Sequence, residues 1–243
     1  MGEPTLFKGN YSGVDRVFGE NGKVIRETYR DASGNVGANS SGVITLETDF
    51  DEAGRGVELR YLDASDAPMM MASLGACTEH RTYDEYGNVR RTDLLDGNRQ
   101  LTVGAKGWAA AEYEYDDQKH RLSEAYFGAD GELMLVEGGY AKIVREYDAL
   151  GNVVSETYFD ASGNPAENAK GVAGLRRSYD GKTAVSETYL DAAGNPRVDA
   201  NAGYATVSRL LDANGRVLRE SYFDADGNAM LHPKKNCAAL VRT

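Results

Sequence analysis

Runs of β-forming residues about seven long alternate with Asp- and Gly-rich punctuation along the whole chain. Nowhere do apolar positions keep the 3.6-residue spacing of an amphipathic helix, so the pattern predicts strands and almost no helix. The stretch Ala141 to Tyr147 is followed by Asp148-Ala-Leu-Gly151 and then by a second run, Val153 to Phe159. Asp at the first turn position and Gly at the fourth suit a type I turn whose last residue goes left-handed, which predicts a hairpin. A second turn, Asp160-Ala-Ser-Gly163, leads into Asn-Pro and a polar connector. The same turn chemistry stands at Asp31 to Gly34, Asp191 to Gly194, Asp212 to Gly215 and Asp224 to Gly227. Asp66 stands where Gly is expected in another copy, a swap that the left-handed tolerance of Asp permits.

The hairpin recurs. One aromatic column runs Phe18, Phe50, Tyr83, Tyr115, Tyr147, Tyr179, Leu211, and a second runs Tyr29, Tyr61, Leu94, Tyr126, Tyr158, Tyr189, Tyr222. Both columns keep a period of 32 residues, within one residue. A lone two-stranded hairpin is marginal in water, so each unit must bury its apolar side chains against its neighbours. The expected fold is all-β: a tandem-repeat β-hairpin solenoid of seven 32-residue repeats plus a partial eighth strand. Two strands per repeat at about 4.8 Å would extend it on the order of 70 Å. A seven-bladed propeller needs four strands and about 40 residues per blade, more than this unit supplies. The expected organisation is a lead-in over 1–10, the seven-repeat array over 11–232, and a partial eighth repeat or capping strand over 233–243. Cys237-Ala-Ala-Leu-Val-Arg-Thr243 aligns on Tyr140-Ala-Lys-Ile-Val-Arg-Glu146 and stops where Tyr-Asp is due, which points to a fragment of a longer repeat protein or to a cap.

Charge narrows the partners. The net charge is −11, whereas phosphate and anionic-membrane binding draw on an excess of cations, so no nucleic-acid partner and no membrane insertion are expected. Leu, Ile, Val and Phe make up only about 19% of the chain, a fraction that with high net charge flags disorder; the 15 Tyr residues argue against it. No run approaches the length of a membrane span, and Met1 to Gly22 carries no apolar stretch of signal-peptide type.

The element Tyr-Phe-Asp-Ala-x-Gly-Asn, at Tyr158 to Asn164 and Tyr222 to Asn228, resembles the core of bacterial cell-wall-binding, glucan-binding and clostridial-toxin repeats. Tyr147-Asp-Ala-Leu-Gly-Asn152 also resembles the motif of bacterial YD (RHS-type) repeats. The resemblance reaches all seven copies and implies hairpin solenoids that hold choline, glucan or host glycans with aromatic side chains. Those families carry Gly-Trp and paired Trp or Tyr in each repeat, whereas this chain has the single Trp108. What carries over is a bacterial surface-related repeat module.

Leu94 and Leu211 replace aromatics in the two columns, which packing tolerates and a stacking platform does not, so both columns are expected in the core. A more variable column follows a recurring Gly: Tyr11, Val43, Ala76, Trp108, Tyr140, Val172, Tyr204 and Cys237. Exposed rings suit the apolar faces of sugars, so Tyr11, Trp108, Tyr140 and Tyr204 are the candidate ligand-binding residues. Arg16, Arg81, Arg145, Arg177 and Arg209 recur on first strands, and Glu27, Glu124, Glu156, Glu187 and Glu220 on second strands. Whether Arg145 and Glu156 share a face is left open by the loop length. Catalysis needs a unique constellation and these acids are periodic, so no catalytic residue is assigned. His80, His120 and His232 lie in different repeats, read as solvated surface positions, and no metal or cofactor is expected. Asp224-Ala-Asp-Gly-Asn228 lacks the later bidentate Glu of a calcium loop and reads as turn chemistry. Cys77 and Cys237 stand about five repeats apart and are expected as free thiols. The functional expectation is a non-enzymatic repeat domain of a bacterial surface or envelope protein that binds glycan or wall polymer. The alternative is a structural spacer or protein-interaction scaffold attached to the remainder of a longer chain.

Overall fold

The computed structural model describes residues 8–232, Lys234 and the backbone of Ala239–Val241; Cys237 lies outside them. None of the described residues is helical. The strands are β1 (Gly13–Phe18), β2 (Val24–Arg30), β3 (Thr45–Phe50), β4 (Gly56–Leu62), β5 (Thr78–Tyr83), β6 (Val89–Leu95), β7 (Ala110–Tyr115) and β8 (Arg121–Phe127). They continue with β9 (Lys142–Tyr147), β10 (Val153–Phe159), β11 (Gly174–Asp180), β12 (Thr183–Leu190), β13 (Thr206–Leu211), β14 (Val217–Phe223) and β15 (Ala239–Val241). Their hydrogen-bonding order is the order of the chain, the all-β tandem array of hairpins that the repeat predicts. The chain divides into two compact units, one reaching Glu112 and including Phe127–Glu132, the other holding Tyr113–Tyr126 and the chain from Leu133 onward.

Five hairpins, with Asp51, Asp84, Asp116, Asp148 or Asp212 at the first turn position, close with the same device. At the β9–β10 turn, Gly151 N–H donates to the Asp148 carbonyl (2.9 Å), and Asp148 Oδ1 accepts from the backbone N–H groups of Leu150 and Asn152, both at 2.9 Å. The left-handed position is filled by Gly151 (φ 74°) here, by Lys119 (φ 67°) in the β7–β8 turn, and by Asp66 (φ 65°) and Arg99 (φ 64°) in second turns. The register slips by one residue beside the turn, between Val153 and Ser155 opposite Tyr147. This bulge leaves Arg145 directly opposite Glu156 and Ile143 opposite Tyr158. Alternate residues of a strand share a face, so Ile143, Arg145 and Tyr147 stand side by side. The second column is one residue short at Tyr189 because β11 and β12 are joined through Asp180↔Thr183, a tighter turn around Gly181. In the other units the turn takes one residue more.

Face by face, a layer of rings lies nearest the hairpin turns, an Arg–Glu layer follows, and a second ring layer lies beneath the connectors. The second column is the core: Leu94 and Tyr222 are each 1% exposed, and Ile143, Tyr158 and Val172 form a buried cluster against which Tyr140 and Tyr189 pack. The first column corrects the core expectation. Its members from Phe50 to Leu211 are only half-buried, and Phe18 is 60% exposed. Lys23 lies 5.0 Å over Phe50 and Arg55 lies 4.7 Å over Tyr83, while His120 stacks on Tyr147 at 4.7 Å. Hydroxyls complete the joint, Tyr83 donating to the Gly56 carbonyl (2.7 Å) and Tyr147 to that of Arg121 (2.9 Å). A turn cation and a ring edge thus fix the spacing between neighbouring hairpins, a contact that desolvation strengthens.

β15 pairs with β14 through Glu220↔Leu240, the position that Glu124↔Ile143 occupies between β8 and β9. The partial eighth strand therefore adds in the register of the repeat.

Candidate functional site

The middle layer brings the charged columns together. Arg145 Nε donates to Glu156 Oε2 at 2.9 Å, and its Nη2 lies 3.5 Å from Glu124 Oε1 of the preceding repeat. The question of a shared face is thereby resolved by the bulge. Arg16–Glu27, Arg177–Glu187 and Arg209–Glu220 repeat the pair at 2.8, 2.6 and 3.2 Å, whereas Arg81 turns to Glu79 on its own strand. A further partner went unread in the sequence. Glu156 also accepts from the Tyr158 hydroxyl, Glu187 from Tyr189 (3.0 Å) and Glu220 from Tyr222 (3.2 Å). Glu-x-Tyr, recurring at 32-residue intervals, is the signal that could have revealed it. The carboxylate neutralises the arginine and satisfies a phenol that would otherwise be buried without an acceptor. Burial first, and the neighbouring glutamate second, hold the Tyr158 and Tyr189 phenols well above their ordinary pKa.

Two of the candidate ligand residues, Tyr140 and Tyr204, sit as wedges between second-column rings. Gly139 precedes Tyr140 at φ 77°, and a Cβ there would stand 2.6 Å from Ala169 N, so glycine lets the next connector approach. Ala169 N–H donates to the Gly138 carbonyl at 2.9 Å. Tyr140 enters between Tyr126 and Tyr158, with centroids 6.2 and 5.3 Å apart. Tyr204 enters between Tyr189 and Tyr222 at 6.0 and 5.2 Å. Tyr11 meets Tyr29 edge-on at 5.1 Å. Trp108 is half-buried, its carbonyl accepting from Gly104 N–H at 2.9 Å. All four are part-buried, and the three tyrosines pack against second-column rings.

Val172 occupies the wedge position between Tyr158 and Tyr189. Beside it lies a hollow of about 270 Å³ that opens to solvent, bordered by those two rings, Asn168, Lys170, Asp199 and Asn201. Asp199 is 2% exposed. Its Oδ1 accepts from the N–H groups of Asn201 (2.9 Å) and Ala202 (2.6 Å), which close the connector turn. Its Oδ2 is buried and accepts from none of the described groups.

The histidines need correction. His232 is buried, its ring 4.6 Å from Tyr222 and 5.5 Å from Tyr204, not solvated. His120 is half-buried with Nδ1 2.8 Å from Asp116 Oδ2, and His80 Nδ1 lies 3.5 Å from Asp93. Among the described residues no three His, Cys, Asp or Glu side chains are grouped to hold a metal ion. Cys77 is a buried free thiol whose pKa burial raises. Asp224 Oδ1 accepts from Asp226 and Asn228 N–H groups at 3.0 and 2.8 Å, the same turn capping as at Asp31, Asp160 and Asp191.

No family model and no curated protein matches the chain. Among solved structures, the chain is similar to the TcdB2–TccC3–Cdc42 complex at 12% identity and a TM-score of 0.39, covering 89% of this chain and 12% of that one. It is similar to a Tc holotoxin pore of Photorhabdus luminescens carrying a TccC3 mutation at 13% identity and 0.39, covering 89% and 12%. For the TcdB2–TccC3 structure the figures are 12%, 0.38, 89% and 13%. The chain thus spans about an eighth of the length of these structures. What its own geometry establishes is a tandem array of antiparallel β-hairpins.

Proposed function

We propose that the chain is a non-enzymatic recognition module that binds glycan or wall polymer at a bacterial surface, one repeat at a time. The observation supporting this reading is the recurrence, at multiples of 32 residues within one residue, of part-exposed rings at Tyr11, Trp108, Tyr140 and Tyr204. Ring faces kept partly wet suit the C–H faces of sugars, and weak sites repeated along one chain raise affinity for a polymer through effective concentration. The test is retention on purified cell-wall polysaccharide. Leu at positions 108, 140 and 204 keeps apolar volume in the ladder and removes the aromatic faces. Loss of retention with the melting transition preserved supports the reading; unchanged retention overturns it.

A separate observation favours the scaffold alternative. Met70, Val103, Leu135, Val198 and Leu231 are exposed at one connector position, which Glu167 occupies in the repeat between Leu135 and Val198. Such apolar columns suit protein contact more than sugar. Leu135→Ser and Val198→Ser would then abolish capture of a protein partner and leave polysaccharide retention intact.

A further inference from the structure

We propose that the outer edge of β1 is a docking site for one extended segment of a partner chain, of the pattern Lys/Arg-x2-Arg-Glu-x-Tyr, which adds antiparallel to β1 as one more strand of the sheet. β1 stands at the end of the strand order, and among the described residues it pairs with β2 alone. The interior joint between β8 and β9 supplies the template. Glu124 lies opposite Ile143 and Ala125 opposite Lys142, while Tyr126 N–H donates to the Ala141 carbonyl at 2.8 Å. Val14 faces Tyr29 as Ile143 faces Tyr158, so Val14, Gly13 and Ser12 hold those three places beside β1. An edge of this kind takes a further strand through its backbone groups, and its side chains decide which strand.

Three side chains of β1 present half of an interaction that interior strands complete. Arg145 holds Glu156 of its own hairpin, lies 3.5 Å from Glu124 of the strand before, and has a side chain 18% exposed. Arg16 holds Glu27 at 2.8 Å in the same way, yet its side chain is 48% exposed, so a glutamate opposite Val14 falls beside an accessible cation. Between β2 and β3, Arg26 stands opposite Glu47 and bonds it at 2.6 Å. Asp15 holds the place of Glu47 on β1, with more than half of its side chain exposed beside Arg30. At the turn end, Lys23 lies over Phe50 and Arg55 over Tyr83, whereas Phe18 of that column is bare over most of its ring. These demands fall in a fixed order along the incoming strand: a cation for Phe18, an arginine three residues on for Asp15, a glutamate next for Arg16, and a tyrosine two beyond. Lys23-Val-Ile-Arg-Glu-Thr-Tyr29 and Arg216-Val-Leu-Arg-Glu-Ser-Tyr222 carry that order within this chain, so a strand of this type already fits the joint. The exposed Asp15 and Arg16 select against an uncharged strand, which would leave both without a partner across the joint. The site is independent of the sugar-binding reading above.

The intact chain is titrated with a fluorescein-labelled peptide of the sequence of residues 22–30, and with the same residues in reversed order, followed by anisotropy. Saturable binding of the first and none of the second is expected. Glu27→Gln in the peptide weakens binding about threefold, as for a part-exposed ion pair. Arg16→Gln in the chain weakens the parent peptide by the same factor and makes the two peptides equal, because each change removes the same contact. Phe18→Ser in the chain likewise removes the advantage of the parent peptide over one carrying Lys23→Ser. Both chain variants alter side chains at an open edge, and thermal melting by circular dichroism confirms that they fold. The proposal is overturned if the peptide does not bind, if the reversed sequence binds as well, or if the losses from Arg16→Gln and from the peptide's Glu27→Gln multiply. Should Arg16→Gln fail to fold, the Phe18→Ser comparison of the two lysine-position peptides decides alone.

Discussion

Tyr158→Ala tests whether the second ring column is the source of stability in the second unit. The side chain is 9% exposed, packed with Ile143 and Val172, with the Tyr140 ring 5.3 Å away. Truncation to Ala removes on the order of 150 Å² of buried surface, about 4 kcal/mol at roughly 25 cal/mol per Å². The lost ring pair adds about 0.5 to 1.5 kcal/mol. Two features reduce the sum. The hollow of about 270 Å³ already borders the ring, so part of its edge has no packing partner to lose, and Glu156 keeps Arg145 after the phenol is gone. The expected cost is about 3 to 4 kcal/mol, within the range for large-to-small aromatic deletions. Urea unfolding followed by circular dichroism measures it, with Leu150→Ala, at a side chain 58% exposed, as a control expected within about 0.5 kcal/mol of the parent. A loss below about 1 kcal/mol for Tyr158→Ala would refute the assignment of this column to the core.

Acid sensitivity should centre on Glu58, whose carboxyl is lowered to about 2, chiefly by its hydrogen bonds from Arg99 and also by Arg60, against the opposing effect of burial. A depressed carboxylate contributes stability above its unfolded pKa and loses it as pH falls, here between about 4.5 and about 2; the shift corresponds to about 3 kcal/mol, discounted to about 1 to 2 because Arg99 is more than half exposed. Glu58→Gln should therefore flatten the acid limb of a urea-midpoint-against-pH curve, and an unchanged limb would dismiss the pair. Arg145→Met removes the close arginine partner of Glu156, while Glu124 keeps Arg121, and should cost about 2 kcal/mol, part of which Arg145→Met with Glu156→Gln restores in a double-mutant cycle; additive costs would show that the two do not interact. Lys119→Gly relieves a left-handed non-glycine residue in the β7–β8 turn and should stabilise by about 0.5 kcal/mol, read as a raised urea midpoint; a lowered midpoint would mean that the lysine side chain contributes there.

Much of this architecture was legible in the chain because turn chemistry is local. Asp followed three residues on by Gly specifies its own backbone through hydrogen bonds within five residues, so Asp148 to Asn152 forms the same loop wherever it stands. A 32-residue period of such turns, with a ring column in each strand, leaves stacked hairpins as the available way to bury Tyr158 and Tyr222. The pairing of Arg145 with Glu156 was not legible, because a one-residue bulge at Val153 decides which strand face each presents, and residue spacing alone does not reveal a bulge. Nor was the difference between the two columns. Tyr147 and Tyr158 belong to one hairpin and look alike in sequence, yet one lies over an exposed turn and the other under a connector that folds back from a later point in the chain. The hollow beside Val172 belongs to the same class. A valine among tyrosines is a small change in a variable column until neighbouring repeats set Tyr158 and Tyr189 on either side of it. Local hydrogen bonds are written into short segments, whereas exposure and enclosure depend on which distant segments come to lie against one another, and that only the packed hairpins decide.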